Sequence, residues 1–101
     1  MKKVIVRYKV LADRGNENID FVKAVFAELN AARPENLRYA TYVADDGVSF
    51  THIASIETED GSNPLAATEA FKAFQAGIRD RCENPPASTP VTLVGSYGFM
   101  E

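Results

Sequence analysis

Few of the residues that build disulfide frameworks and metal centres are present. The 101 residues include one cysteine, one histidine and no tryptophan. A single cysteine excludes a disulfide framework within the chain and leaves no Cys-rich metal site. Because this composition suits a reducing compartment, we expect a cytoplasmic protein that holds neither a metal nor another cofactor.

Long apolar runs and an excess of positive charge are also missing. Arg7 and Lys9 interrupt the apolar stretch near the N-terminus, so it does not read as a signal peptide. No run approaches the ~20 residues of a membrane helix. The net charge is -3, whereas nucleic-acid-binding domains usually carry a basic face. We therefore expect neither a membrane nor a nucleic acid as partner.

The remaining composition is that of a globular protein. Hydrophobic residues make up 46% of the chain and charged residues 25%, which excludes a disordered or collagen-like chain. A chain of this length can bury roughly two-thirds of its surface. We expect residues 1–101 to form a single domain.

The first third of the chain predicts a strand followed by a helix. Apolar residues recur at every second position over residues 2–11, as in a strand with one apolar face. Over residues 18–32 they recur at helical spacing. Asn16 or Asn18 can cap the first turn of this helix, and Pro34 ends it.

The middle of the chain predicts a β-hairpin. Residues 37–44 and 48–57 both alternate between apolar and polar side chains, and Asp45, Asp46 and Gly47 lie between them. Asp-Gly between two alternating segments is a strong signal for a tight turn. The two strands are therefore expected to pair in antiparallel fashion.

A loop and a second helix are predicted next. Asn63 can cap this helix, Pro64 suits its first position, and it runs to about Cys82. Leu65 lies off the apolar stripe, so a separate turn can precede Thr68. The stripe consists of Ala67, Ala70, Phe71, Phe74 and Ile78.

The C-terminal part predicts a linker and the last strand. Pro85 and Pro86 lie within residues 84–88, which predict a stiff linker. Residues 90–99 predict the strand. Its apolar side carries Val91, Leu93, Tyr97 and Phe99.

The order β-α-β-β-α-β predicts a ferredoxin-like α+β fold. Right-handed crossovers place both helices on one face of a four-stranded antiparallel sheet. The expected spatial order of the strands is last, first, third, second.

The other face of this sheet is too apolar for ordinary surface. It is expected to carry Ile5, Arg7, Lys9, Ala40, Tyr42, Ile53, Thr92 and Val94. Contiguous exposed apolar area often marks an interface. Two interpretations follow: a homodimer in which two such faces pack together, or a monomer with a partly apolar sheet face.

The order of elements and two short sequences resemble a known superfamily. The hairpin sequence Asp-Asp-Gly-Val-Ser-Phe-Thr-His-Ile-Ala and the helix sequence Ala-Phe-Lys-Ala-Phe-Gln-Ala-Gly-Ile are similar to the dimeric α/β-barrel superfamily. The nearest likeness is to small proteins of the antibiotic biosynthesis monooxygenase type. The resemblance covers nearly the whole chain as a pattern of elements.

This resemblance implies a homodimer whose two sheets form a barrel, with a pocket between sheet and helices in each subunit. Some members oxidise polycyclic aromatic substrates with O₂ and no added cofactor, others degrade haem, and many have no known activity. The chain departs from the active members because it lacks tryptophan, which lines the pocket of several of them. Its histidine lies on a strand, whereas the haem-degrading members carry a histidine ligand on a helix. No catalytic residue is therefore transferred from the family.

The candidate site rests on the residues of this chain. His52 is in phase with Phe50 and Ala54, on the face assigned to the helices. It can act there as acid, base or hydrogen-bond donor, and tyrosines provide flat surfaces for a planar ligand. The candidate substrate-binding residues are Tyr8, Tyr39, Thr41, Tyr97, Phe71 and Phe74. The alternative is a core histidine bonded to a tyrosine or a carbonyl group, with no substrate.

Two functional hypotheses remain open at this point. The first is an oxidoreductase of the monooxygenase type that acts on a small planar aromatic or quinol without metal or flavin. The second is a non-catalytic dimer that binds a small hydrophobic or aromatic molecule or has a structural role. Arg79 and Arg81, near the end of the second helix, suit its dipole and are expected on a solvated face.

Overall fold

The computed structural model describes residues 2–99, which form a four-stranded antiparallel sheet with helices packed on one face. The elements are β1 (Lys2–Val10), α1 (Gly15–Ala32), β2 (Leu37–Val43), β3 (Ser49–Ile56), α2 (Glu69–Ala76), α3 (Ile78–Arg81) and β4 (Cys82–Pro90). The strands lie in the order β2-β3-β1-β4. The ferredoxin-like α+β fold and the expected strand order are confirmed. Within the described residues, no helix is long and apolar enough to cross a bilayer.

The hairpin of β2 and β3 forms where the sequence predicts it. Its turn is fixed by Asp46, whose side-chain oxygen accepts hydrogen bonds from the backbone N–H groups of Val48 and Ser49, each at 2.9 Å. Gly47 has a φ of 75°, a conformation that glycine adopts without steric cost. The turn also contacts the start of α1, because a Cβ added to Gly15 would collide with the carbonyl oxygen of Gly47.

Helix α1 begins three residues earlier than predicted and has a different start. Its N-cap residue is Arg14, which makes no side-chain cap bond. The guanidinium of Arg14 instead binds the Glu17 carboxylate at 2.8 Å. The predicted cap Asn18 is fully buried and faces the core, where its amide has partners described below.

The second helical segment is divided into a turn and two helices. Thr68 caps α2, since its hydroxyl oxygen accepts from the N–H of Phe71 at 3.2 Å. Asn63, the predicted cap, accepts from the N–H of Leu65 at 3.1 Å and so caps the separate turn before Thr68. Gly77 separates α2 from α3.

The prediction for the last strand is wrong. The predicted linker belongs to β4, which pairs with β1, for example Ser88 with Val6. Strand β4 is an edge strand, and prolines are tolerated there because one side of the strand needs no ladder bonds. The register shifts between Arg7 and Val10, opposite the two prolines.

Residues 91–99 form no strand and lie across the open face of the sheet. A space of about 910 Å³ lies between this segment and the sheet, with Ile5 and Ile53 in its walls. The ring of Phe99 stacks on Tyr42 with centroids 6.3 Å apart. Thr92 and Val94 are therefore not strand residues of this face, and Val94 is fully exposed.

Candidate functional site

A cavity lies between the helix-facing side of the sheet and the helices. Its volume is about 240 Å³. The sheet contributes Val4, Val6, Tyr8, Tyr39, His52, Ala54, Ile56 and Pro86, and the helical segment contributes Asn63, Leu65, Ala66, Phe71, Phe74, Gln75 and Ile78. The walls are thus mainly apolar, with a cluster of polar atoms at one end.

His52 occupies that polar end and is 5% exposed. Its Nε2 lies 2.7 Å from Oη of Tyr8. On the other side of the ring, Nδ1 lies 3.0 Å from Oγ1 of Thr41 and within hydrogen-bonding distance of Oη of Tyr39. Tyr8 lies on β1, Tyr39 on β2 and His52 on β3. The register sets Val6 and Thr41 opposite His52. Because Tyr8 and Tyr39 are each two residues from one of these positions, their rings lie on the same face as His52.

Aromatic rings surround the imidazole. The centroid of His52 lies 5.2 Å from that of Tyr8 and 5.5 Å from that of Phe74. Phe74 in turn packs against Phe71 at 5.8 Å. A planar ligand in the cavity would therefore contact aromatic surface as well as the polar end.

Two buried side chains extend the hydrogen bonds of the site away from the cavity. The Nδ2 group of Asn18 donates to Oη of Tyr8 at 2.8 Å. Arg81 is 1% exposed, and its Nε donates to Oδ1 of Asn18 at 3.1 Å. A second nitrogen of Arg81 donates to the carbonyl oxygen of Phe74 at 2.9 Å.

The expectation that Arg81 lies on a solvated face is wrong. Its guanidinium lies over the ring of Phe21, 4.2 Å from the centroid, so apolar and aromatic groups cover it. No carboxylate of residues 2–99 forms an ion pair with it. A buried cation without an ion pair is costly, which makes the hydrogen bonds to Asn18 and Phe74 its main compensation.

The protonation states of the site follow from its burial. Burial lowers the pKa of His52 to about 4, so the imidazole is neutral at neutral pH. Burial raises the pKa of Tyr39 to about 12, and burial also raises the pKa of Tyr8. Both phenols therefore keep their protons.

The hydrogen bonds also fix the tautomer of His52. Arg81 can only donate, so the oxygen of the Asn18 amide faces Arg81 and its NH₂ group faces Tyr8. Within residues 2–99, Tyr8 Oη has hydrogen bonds only with Asn18 and His52. Because the Asn18 NH₂ group cannot accept, Tyr8 donates its proton to Nε2 of His52. The proton of the neutral imidazole is therefore on Nδ1, which donates toward Tyr39 and Thr41.

The structure brings together most of the predicted site residues. Tyr8, Tyr39 and Thr41 bond to His52, and Phe71 and Phe74 line the cavity. Tyr97 is a wrong prediction, since it is 98% exposed. The physical reason is that β4 ends at Pro90, so Tyr97 lies beyond the sheet and over its opposite face.

Asn18 and Arg81 were missed as site residues. Asn18 is in helical phase with Val22 and Val25, both buried on α1. Arg81 follows Ile78 by three residues in the same way. The available signal in both cases was a polar residue in phase with the apolar stripe of its helix. Such a residue is expected to be buried and hydrogen-bonded to other buried polar groups.

The space of about 910 Å³ on the opposite face is larger than this cavity. It is bounded by the segment 91–99, whose side chains are mostly exposed. The smaller cavity is the better candidate site because the buried histidine and the hydroxyl groups of Tyr8 and Tyr39 converge there. Among the described residues, no group of three or more His, Cys, Asp or Glu side chains could hold a metal ion.

Comparison with known proteins establishes the fold. No protein-family model matches the chain, and no curated protein matches it. A solved structure of an antibiotic biosynthesis monooxygenase is similar, with a TM-score of 0.71, 18% identity and coverage of 94% of this chain and 100% of that one. A proposed antibiotic biosynthesis monooxygenase from Nitrosomonas europaea has a TM-score of 0.76, 15% identity and coverage of 94% and 100%.

A proposed antibiotic biosynthesis monooxygenase from Bacteroides thetaiotaomicron is also similar, with a TM-score of 0.76, 15% identity and coverage of 99% of this chain and 95% of that one. The likeness extends over nearly the whole length of each chain. The ferredoxin-like fold of the single chain, as implied by the sequence resemblance, is thereby confirmed. At these identities the likeness concerns the fold, and function has to be argued from the site.

Proposed function

We propose that this protein is a cofactor-independent oxidoreductase of the monooxygenase type that acts on a small planar aromatic or quinol substrate. The observation that carries the proposal is the pairing of Tyr39 with His52 at the polar end of an otherwise apolar cavity. The fold shared with antibiotic biosynthesis monooxygenase structures supports the same reaction class.

The size of the cavity limits the substrate. About 240 Å³ is less than the ~300–1,000 Å³ of common ligand pockets. A ligand of one or two fused rings is therefore favoured over a larger polycyclic one. Its ring would pack on Phe71 and Phe74, and its hydroxyl group would reach Tyr39.

The reaction uses O₂ as the oxidant. The substrate phenol releases its proton to solvent, and a ring carbon of the resulting delocalised anion forms a bond to O₂. The hydrogen on that carbon is then lost as a proton while the O–O bond of the peroxide breaks, which leaves a ring carbonyl. The second oxygen atom departs with this proton as hydroxide, which becomes water by taking up a proton from solvent. The carbon is oxidised and O₂ is reduced. Tyr39, whose hydroxyl group is hydrogen-bonded to Nδ1 of His52, would hold the substrate oxygen on which the negative charge accumulates.

Oxygen uptake with a panel of one- and two-ring phenols and quinols tests this proposal. We expect uptake with at least one compound, with one ¹⁸O atom from ¹⁸O₂ in the product carbonyl. His52→Ala should abolish turnover, and Tyr39→Phe should slow it at least tenfold. Tyr42→Phe is the matched control, because Tyr42 lies on the same strand and its ring stacks on Phe99 instead of lining the cavity. Retained turnover in a folded His52→Ala protein would contradict the role of His52.

A non-catalytic binding protein is the second candidate. The observation that favours it is that both ring nitrogens of His52 already have hydrogen-bond partners. Saturable binding of the same aromatic panel, with no oxygen uptake above the buffer rate, would select this function and reject the enzyme.

We also propose that the protein is a homodimer that forms through the open face of the sheet. Ile5 and Ile53 are directly opposite each other at the centre of this face, where they are half-buried beside the segment 91–99. The exposed apolar groups are Tyr42 on the sheet and Leu93, Val94 and Tyr97 on that segment, and an exposed apolar set of this kind is typical of an interface.

The mass of the protein in solution tests the dimer. We expect a dimer for the wild-type chain and a monomer for Ile53→Lys, which places a charge at the centre of the face. Ala24→Lys, on the exposed side of α1, should remain dimeric. A monomeric wild-type protein at micromolar concentration would contradict this proposal.

A further inference from the structure

The buried hydrogen bonds behind the cavity all run in one direction. Arg81 donates to Asn18, and Asn18 donates to Tyr8. Tyr8 donates to Nε2 of His52, as the pairing of its hydroxyl group requires. The chain begins at a permanent cation that has no carboxylate partner within residues 2–99.

The last donor of this chain faces the cavity. The Nδ1 proton of His52 goes to Tyr39 or Thr41, whose oxygens both lie beside it. Because Nδ1 donates and cannot accept, a hydroxyl proton of Tyr39 or Thr41 is the last donor of the chain. Of the two, Tyr39 lines the cavity, so its O–H is the donor that a ligand meets.

Hydrogen bonds that are aligned in one direction make the last donor of the chain a stronger hydrogen-bond donor. Each hydrogen bond in a buried chain polarises the next one, and low local dielectric makes the effect larger than in water. A hydrogen bond from such a donor to an anion is roughly twice as strong as one between neutral groups. The Tyr39 end of the cavity is therefore better suited to a negatively charged oxygen than to a neutral one.

We propose that the chain from Arg81 to Tyr39 makes this cavity select the anionic form of an acidic phenol, with Tyr39 contacting the anionic oxygen and Arg81 and Asn18 acting as positioning residues. The inference rests on the proposed function, in which the reacting form of the substrate is also an anion. It specifies the ligand as an ionised phenol and assigns a role to two residues that do not touch it.

The site contains no group that would obscure this preference. The titratable groups that face its polar end are Tyr8 from β1, Tyr39 from β2 and His52 from β3, with Arg81 and Cys82 near Tyr8. All of them keep one protonation state between about pH 6 and pH 8, because burial lowers the pKa of His52 to about 4, raises that of Tyr39 to about 12 and raises the pKa of the Cys82 thiol. A change of binding in this range therefore reports the ionisation of the ligand.

The test uses 4-nitrophenol, whose phenolate absorbs at longer wavelength than its neutral form. The absorbance of the bound probe is recorded against pH. We expect the pKa of the bound probe to fall by about one unit, which is about tenfold tighter binding of the anion. Tyr39→Phe should abolish this shift. No binding at all, or binding with an unshifted or raised probe pKa, would overturn the proposal.

Asn18→Asp tests the positioning role without altering the cavity wall. The carboxylate can still accept from Arg81, but it cannot donate to Tyr8. Tyr8 would then donate to residue 18 and accept from Nε2 of His52, so the chain reverses. We expect the His52 proton to move from Nδ1 to Nε2 and the probe shift to be lost.

Asn16→Asp is the matched control, because it adds the same charge at an exposed position of the same helix. It should keep both the tautomer and the probe shift. A folded Asn18→Asp protein that retains the wild-type tautomer and probe shift would overturn the positioning role. Because 4-nitrophenol need not be oxidised, this test is independent of turnover: a shifted probe without oxygen uptake would reject the enzyme and support the anion site.

Discussion

The Nε atom of Arg81 lies 3.1 Å from Oδ1 of Asn18, and both side chains are buried. Helix α3 supplies the arginine, and the first turn of α1 supplies the asparagine. This contact joins the two helical segments behind the cavity and sets the orientation of the Asn18 amide. The direction of every hydrogen bond between it and His52 depends on that orientation.

Arg81→Met should destabilise the fold. The variant leaves Oδ1 of Asn18 and the carbonyl oxygen of Phe74 without their donors, and each unsatisfied buried group costs ~1–3 kcal/mol. Chemical denaturation should show a free energy of unfolding lower by ~2 kcal/mol or more. Arg79→Met, at an exposed position of the same short helix, should change it by less than ~0.5 kcal/mol. Equal stability of the two variants would show that the Arg81 bonds contribute little.

The stability of the protein should fall as the pH drops from neutrality toward pH 4. Burial lowers the pKa of His52 from 6.5 in the unfolded chain to about 4 in the folded one. Between these values the unfolded chain binds the additional proton, so acid favours unfolding, and the loss from this group is ~3 kcal/mol.

His52→Gln isolates the contribution of this one group. The difference in unfolding free energy between wild type and variant should shrink as the pH falls through this window and level off above about pH 7. Carboxylates such as Glu57, whose pKa is lowered by a hydrogen bond from Ser55, titrate in both proteins. Their contributions to the unfolding free energy therefore cancel in the difference. A difference that is independent of pH would mean that His52 titrates normally in the folded state.

Thr68→Ala should weaken the start of α2. The hydroxyl group of Thr68 accepts from the N–H of Phe71, and loss of a side-chain cap costs ~1 kcal/mol. Thr68→Ser retains the hydroxyl group and should recover most of this loss. Denaturation curves for the two variants provide the comparison, and equal losses would assign the effect to the missing methyl group instead of the cap.

Blocking the cavity should abolish ligand binding without unfolding the protein. Ala66 lines the cavity and is exposed at its edge, so Ala66→Trp should fill it with an indole ring. Ala67 is also exposed but does not line the cavity, which makes Ala67→Trp the matched control. Titration with 4-nitrophenol should show binding only in the control. Unchanged affinity in Ala66→Trp would place the ligand elsewhere.

Local sequence signals were sufficient for the hairpin and for the centre of the site. The Asp-Gly turn fixes the pairing of β2 and β3, and the period of two then places Tyr39 and His52 on the same face. Tyr8 follows because β1 is paired with β3. These relationships depend on residues that are near each other in sequence or on a topology with few alternatives.

Strand β4 and the buried polar residues depend on tertiary contacts that local patterns do not contain. Pro85 and Pro86 read as a linker, and only the edge position of the strand makes them compatible with the sheet. That error moved Tyr97 into the predicted site. The local sequence indicates a helix cap at Asn18 and a surface charge at Arg81. In the structure each side chain stabilises the other in the core, and this contact joins residues 63 positions apart, so a local pattern does not contain it.

The tautomer of His52 is the most direct test of this account. The chain contains one histidine, so ¹⁵N-labelling of histidine gives two ring nitrogen resonances that need no assignment between residues. At neutral pH we predict a protonated Nδ1 and an unprotonated Nε2, with no change as the pH is lowered to about 5. A proton on Nε2, or a cationic ring at neutral pH, would contradict the chain of donors from Arg81 and with it the anion site at Tyr39.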